Sequence, residues 1–322
     1  METITVQSPE HAGAHVATPA TRARWAPRVL DPAALVRSMR PEQWTKNLIL
    51  FAALIFGRRL FDPAAVGRSL AAFLIFCILS GVVYLLNDVA DREVDRLHPV
   101  KSRRPIASGE LSATSARLAA LVLGMAALAA ALWLRLEFAL IAAAYVVLLS
   151  AYSHALKHVV ILDVLAIAIG FVLRAAAGAA VIAVPMSNWL LVCTILLALF
   201  LGLSKRRHEL VVLAGTATEH RRILEEYNPY LLDQMIGVVT ASTLMAYIIY
   251  CTSLETIEKF GTHQLVLTTP FPIYGIFRYL YLVHQRGTGN PSEVLLTDRP
   301  LVLCIALWGL TVVAIIYRPF GL

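Results

Sequence analysis

The sequence predicts an all-α fold, a polytopic membrane bundle of about nine transmembrane helices with its N-terminus in the cytoplasm. Three observations predict it. Of the 322 residues, 58% are hydrophobic and 15% are charged, where soluble domains run at roughly 45–50% and about 25%. Uninterrupted apolar runs recur along the chain, among them LAALVLGMAALAAALWL, and a spanning helix needs about 20 such residues. In lipid every backbone polar group must be satisfied internally, which makes runs of this length helical. The same composition excludes a disordered chain and a disulfide-stapled secreted domain.

The chain divides near residue 38. Residues 1–38 are rich in Ala, Pro, Thr and Arg and lack the apolar core of a signal peptide. They read as a flexible cytosolic tail with a short surface helix near Ala33–Met39, and residues 39–322 as the transmembrane catalytic domain. Nine spans follow, near 45–61, 66–87, 114–134, 138–156, 160–184, 187–204, 231–252, 267–284 and 300–317. The first carries Lys46 and Arg58 at its edges, and Pro270 and Pro272 break the eighth early. With the N-terminus inside, 19 of the 28 Lys and Arg fall on the cytoplasmic side, six on the other, and three within spans or at their edges. This is the asymmetry of the positive-inside rule. It accounts for most of the net charge of +7, so no nucleic-acid partner is required. The Arg221-Arg222…Glu225-Glu226 run reads as a solvated helix face. Cys77, Cys193, Cys251 and Cys304 lack metal-ligand spacing and read as small hydrophobes.

Most of the polar chemistry gathers where the second span ends. Asn87-Asp88-Val89-Ala90-Asp91-Arg92-Glu93-Val94-Asp95 is followed by Lys101-Ser102-Arg103-Arg104-Pro105. Continued as one helix, this segment puts Asn87, Asp88, Asp91 and Asp95 on a single face. Like charges stacked this closely repel, and a divalent cation removes that cost. Mg²⁺ takes oxygen ligands from one or two carboxylates and shares substrate phosphates. Asp88, Asp91 and Asp95, with Asn87 assisting, therefore form a candidate Mg²⁺–pyrophosphate site. The plainer alternative is a solvated helix end balanced by Arg92 and Arg96, which the third acid and the basic run argue against.

Arg174 is the most informative single residue. It stands eleven positions past Asp163, about 16 Å further along a helix, in an apolar span where a charge is expensive and by default functional. There it binds a phosphate or braces the acidic residues. The alternative is a small-residue packing face at Gly170 and Gly178 with Arg174 snorkelling.

The N-D-x-x-D-x-x-x-D run, with its basic sequel and Arg104-Pro105-Ile106-Ala107-Ser108-Gly109, resembles the first signature of the UbiA superfamily of intramembrane prenyltransferases. The similarity extends over roughly residues 38–318. It implies a nine-span fold, Mg²⁺ as cofactor, and a prenyl diphosphate held between two Asp-rich motifs. Where that family carries its second acidic motif, this chain reads Gly202-Leu203-Ser204-Lys205-Arg206-Arg207-His208-Glu209-Leu210. Lys and Arg cannot hold a second metal ion. They bind phosphate directly, Arg as a fork and Lys as a point charge, which suits two phosphate-bearing substrates.

The pattern is similar to one branch of the superfamily, the decaprenyl-phosphate phosphoribosyltransferases. The resemblance rests on Arg40-Pro41-x-Gln43-Trp44-x-Lys46-Asn47, on Tyr152-Ser153-x-x-Leu156-Lys157-His158 and Asp163, on Gly170-Phe171-x-x-Arg174, and on Ser204-Lys205-Arg206-x-x-Glu209. It implies phosphoribosyl pyrophosphate as donor, a polyprenyl phosphate as acceptor, and a multi-pass enzyme of the inner membrane with its site facing the cytoplasm. Some members of the branch carry Glu at the Asp163 position. The substrate-binding candidates are Asn87, Lys46, Asn47, Lys101, Arg103, Arg104, Tyr152, Lys157, Asp163, Arg174, Lys205, Arg206 and Glu209. Lys46 reads equally as an anchor at the cytoplasmic face, and Lys157 as a positive-inside marker. Glu209 orients Lys205 or Arg206. A prenyltransferase acting on an aromatic, quinone or haem precursor remains open, as do a transporter and a lipid-phosphate binding protein. A homo-oligomer is compatible with all of them.

Overall fold

A computed structural model describes residues 31–213, 226–285, 294 and 297–317. Residues 1–30 of the expected tail and the Arg221–Glu225 run lie outside the described residues. Asp31 caps the first helix, α1 (Pro32–Ser38), its carboxylate accepting from Ala33 N–H at 3.0 Å. The chain turns at Arg40, in the left-handed region at φ 53°, and Pro41 opens a 3₁₀ helix, Pro41–Phe51, that runs into α2 (Ala52–Phe56). Asp62 and Pro63 start α3 (Pro63–Ala90), followed by α4 (Arg92–Leu97) and α5 (Pro105–Ser108). Ser112 caps α6 (Ala113–Leu134), which precedes α7 (Leu136–His154). A 3₁₀ turn, Leu156–His158, leads to α8 (Leu162–Val181) and then α9 (Asn188–Leu213). Asn228 caps α10 (Pro229–Thr252), Ser253 caps α11 (Leu254–Phe260), and α12 (Pro270–Gln285) and α13 (Arg299–Tyr317) complete the bundle. Among the described residues all regular structure is helical.

Seven of these helices, α3, α6, α7, α8, α9, α10 and α13, are long and apolar enough to cross a membrane. The chain is an integral membrane protein. The expected first and eighth spans take other forms. The first is the 3₁₀ stretch joined to α2, and at about 2.0 and 1.5 Å per residue the two together still reach about 30 Å. The eighth is α12, 16 residues long. Its prolines stand in the first turn, where a missing N–H costs nothing, so they begin the helix rather than break it.

Helix α8 holds the middle, packed on α7, α9, α3, α2 and the 3₁₀ helix. Its small residues permit this: a Cβ on Gly178 would stand 2.1 Å from the backbone oxygen of Leu50. Buried share separates inner from outer helices, with 61% of the most apolar window of α3 buried against 17% for α6. At the end away from the acidic motif, the Tyr317 hydroxyl donates to Leu54 O at 2.9 Å and accepts from Leu60 N–H at 3.0 Å. This bond ties α13 to α2.

Candidate functional site

The acidic residues gather at one end of the bundle, in two arms rather than on one face. Helix α3 stops at Ala90, and Asp91 stands at the junction with α4, its side chain turned to other partners. Asp88 and Asp95, each 2% exposed, share the Arg104 guanidinium, which donates to Asp88 at 3.2 Å and to Asp95 at 2.5 Å. Asp88 accepts from Arg40 on the same oxygen. Asp91 is more open, with a third of its side chain exposed. It accepts from Asn87 Nδ2 at 3.1 Å and from Lys157 Nζ at 3.1 Å. The basic partners explain why closely spaced acids tolerate burial, since each carboxylate faces a cation that offsets its desolvation. Among the described residues no three acidic, His or Cys side chains converge as a finished metal cluster. The available donors are all oxygens, from three carboxylates and one amide, which is the set that a hard divalent cation takes.

A second assembly joins α7, α8, α9 and the segment before α10. Asp163 is fully buried and Arg206 is 2% exposed. Arg206 Nε donates to Asp163 at 2.6 Å, Nη1 to Glu209 at 2.6 Å, and Nη2 to the Tyr152 hydroxyl at 3.1 Å. The Tyr227 hydroxyl donates to the other Asp163 oxygen at 2.9 Å and accepts from Ile161 N–H at 2.7 Å. Burial pushes the Tyr227 phenol up to about 12, so it stays protonated and remains a donor. Lys205 behaves differently from its neighbour. Its side chain is 41% exposed, with Nζ 3.8 Å from Glu209.

Arg174 anchors a third assembly, nearer the middle of the bundle. Nε donates to Asn47 Oδ1 at 2.8 Å, Nη1 to Gly170 O at 3.1 Å, and Nη2 to the Tyr145 hydroxyl at 2.6 Å. The guanidinium lies 4.6 Å from the Tyr145 ring centroid and 5.1 Å from that of Phe171. Asn47 and Tyr145 also meet at Ser80. No carboxylate pairs with Arg174 among the described residues. Lys46 lies within electrostatic range of Arg174, Lys205, Arg40 and Glu42.

Most of the sequence-predicted residues fall into three groups, and Lys205 stands at the edge of the second, 3.8 Å from Glu209. Asn87, Asp88, Asp91, Asp95, Arg104 and Lys157 form the mouth; Tyr152, Asp163, Arg206 and Glu209 form the second assembly; Asn47 and Arg174 form the third. Lys101 is half-buried beside the mouth, while Arg103 is exposed and outside all three groups. The structure adds residues to which sequence reasoning gave no role. Arg40 had a signal, a charged residue just before Pro41 at the start of a span. Ser80 and Tyr145 had none, because a hydroxyl within an apolar helix carries no mark of its partner, and Tyr227 had none because its partners Ile161 and Asp163 lie 66 and 64 residues away in the chain.

A family profile described as the UbiA prenyltransferase family matches residues 48–297. The decaprenyl-phosphate phosphoribosyltransferase of Mycolicibacterium smegmatis is 33% identical, over 88% of this chain and 92% of that one. The protein of the same description from Corynebacterium glutamicum is 30% identical over 88% and 86%. Among solved structures, a UbiA homolog from Archaeoglobus fulgidus bound to DMAPP and Mg²⁺ superposes with a TM-score of 0.67 at 20% identity, covering 88% of this chain and 99% of that one. The chain is a membrane transferase and belongs to the UbiA prenyltransferase family.

Proposed function

We propose that the protein transfers the 5-phosphoribosyl group of phosphoribosyl pyrophosphate to a polyprenyl phosphate, releasing pyrophosphate, with Mg²⁺ as cofactor. The observation that carries this reading is the composition of α9. Lys205 and Arg206 stand where a second carboxylate motif would be needed to clamp a prenyl diphosphate between two metal sites. The relatives described as decaprenyl-phosphate phosphoribosyltransferases support it, at about a third identity across most of the chain. The Mg²⁺ bound to the Archaeoglobus homolog supports the cofactor.

In this reading Asp88, Asp91 and Asp95, with Asn87, are the residues that would hold the metal ion for the donor's pyrophosphate. Bound there, Mg²⁺ would supply positive charge to stabilise the departing pyrophosphate. Arg40, Arg104 and Lys157, which neutralise the carboxylates, are the cations nearest the mouth and would serve the pyrophosphate oxygens there. The bond from the ribose anomeric carbon to pyrophosphate breaks, and a bond from that carbon to an oxygen of the lipid phosphate forms. The lipid phosphate is already an anion at neutral pH, so no general base is required. Lys205 and Arg174 hold the remaining phosphates, and catalysis is positioning plus electrostatics. The cytoplasmic excess of Lys and Arg supports a site facing the cytoplasm, in the inner membrane, with the N-terminus on the same side.

The test is direct. Purified protein with Mg²⁺, a polyprenyl phosphate and labelled phosphoribosyl pyrophosphate yields a labelled lipid that partitions into chloroform. No such product, together with turnover of a prenyl diphosphate and an aromatic acid, overturns the proposal.

A further inference from the structure

The turn between α7 and α8 carries Lys157, and its geometry is unusual. Ile161, a β-branched residue, sits at φ 70°, ψ −45°, close to the strained γ-turn conformation that side chains with a branched Cβ avoid. Strained backbone persists only where its surroundings over-determine it. Here the determinant is visible. The Ile161 N–H has its partner in the Tyr227 hydroxyl at 2.7 Å, and that hydroxyl donates to Asp163 at 2.9 Å. Asp163 in turn closes the turn from the other side, its N–H reaching Val159 O at 3.0 Å. Tyr227 itself is 3% exposed and packs in a cluster with Val164, Phe200 and Leu203. One phenol thus fastens the turn to the Asp163–Arg206 pair. At the upstream end of the same turn, Lys157 reaches Asp91.

We propose that Tyr227 is a positioning residue for the pyrophosphate site: by fastening Ile161 to Asp163, it holds the α7–α8 turn so that Lys157 is presented at Asp91. Tyr227 touches no reacting atom and acts through Lys157. The inference rests on the pyrophosphate reading of the Asp88–Asp91–Asp95 mouth.

The experiment measures binding of inorganic pyrophosphate with Mg²⁺ to the purified full chain, which needs no organic substrate. Tyr227→Phe keeps the buried ring and removes only the hydroxyl. It weakens pyrophosphate binding about tenfold, the scale of one lost hydrogen bond to a buried group. Lys157→Ala weakens it by at least as much. The double variant Tyr227→Phe, Lys157→Ala binds no more weakly than Lys157→Ala alone, because the phenol has nothing left to position. Tyr317→Phe, which removes an inter-helix hydroxyl at the other end of the bundle, leaves binding unchanged and controls for a general loss of packing. Unchanged binding in Tyr227→Phe, or losses that multiply in the double variant, overturns the positioning role while leaving the site intact. Absence of binding in the unsubstituted protein removes the pyrophosphate reading, and this inference with it.

Discussion

Replacing Asp163 by Asn takes one charge out of a pair that has almost no access to water. The two side chains are 0% and 3% exposed and meet at 2.6 Å. Removing one partner of a buried pair costs about 3–5 kcal/mol, because the other charge is left without compensation. Arg206 keeps a second carboxylate, Glu209, also at 2.6 Å. The Glu209 side chain is 27% exposed, so water shares its field and it cannot replace Asp163 in full. The Tyr227 hydroxyl can still donate to the Asn oxygen, which retains one bond. The amide nitrogen must then face Arg206 Nε, donor against donor. These terms place the loss near the lower end of the range, about 3 kcal/mol, or roughly a hundredfold in the folding equilibrium. The assay is equilibrium unfolding in detergent beside Glu110→Gln, which breaks the surface pair of Arg37 and Glu110, where the side chains are 58% and 35% exposed. That change costs under about 1 kcal/mol. Equal losses in the two variants, or a loss below about 1 kcal/mol for Asp163→Asn, would refute the claim that burial sets the worth of this pair.

Other outcomes follow from the same geometry. Gly178→Val forces side-chain atoms into the Leu50 backbone and destabilises by at least about 1–3 kcal/mol. Gly237→Ala, with nothing within 4 Å of the new Cβ, stabilises α10 by up to about 1 kcal/mol; thermal unfolding in detergent compares the two. Lys205→Ala raises the Michaelis constant for one phosphate substrate and leaves stability unchanged, whereas Arg206→Ala lowers stability first, and steady-state kinetics alongside unfolding separate them. Asp91→Asn abolishes turnover and its response to added Mg²⁺, and a metal titration of activity shows whether any response survives.

The architecture could be read from the sequence because its cause is local. An apolar run of 20 residues has one solution in lipid whatever surrounds it, and the spans that became α3, α6 and α13 needed nothing more. The first span did not follow that logic. Pro41 and the left-handed turn at Arg40 precede a 3₁₀ helix, and the close approach of Leu50 to Gly178 is a contact between distant segments. The acidic motif shows the same divide. Its residue types announced a cation or pyrophosphate site, but helical spacing alone put all of them on one face. The sorting into two arms depends on Arg40, 48 residues before Asp88, and on Lys157, 66 residues after Asp91.

The two buried arginines carry this argument furthest. On sequence they looked alike as phosphate ligands, one inside a span and one beside it. Arg206 is met by two carboxylates, so its charge is already balanced and its work is to fix α9 against α8. Arg174 is met by an amide oxygen, a backbone carbonyl and a phenol. Those neutral acceptors satisfy its geometry and leave its charge in place. A guanidinium held in a low-dielectric interior with neutral partners makes that interior favourable to an anion. Asn47, the partner that orients Arg174, lies 127 residues away in the chain. The sign of the field could therefore be read from the sequence, but not which of the two arginines supplies it.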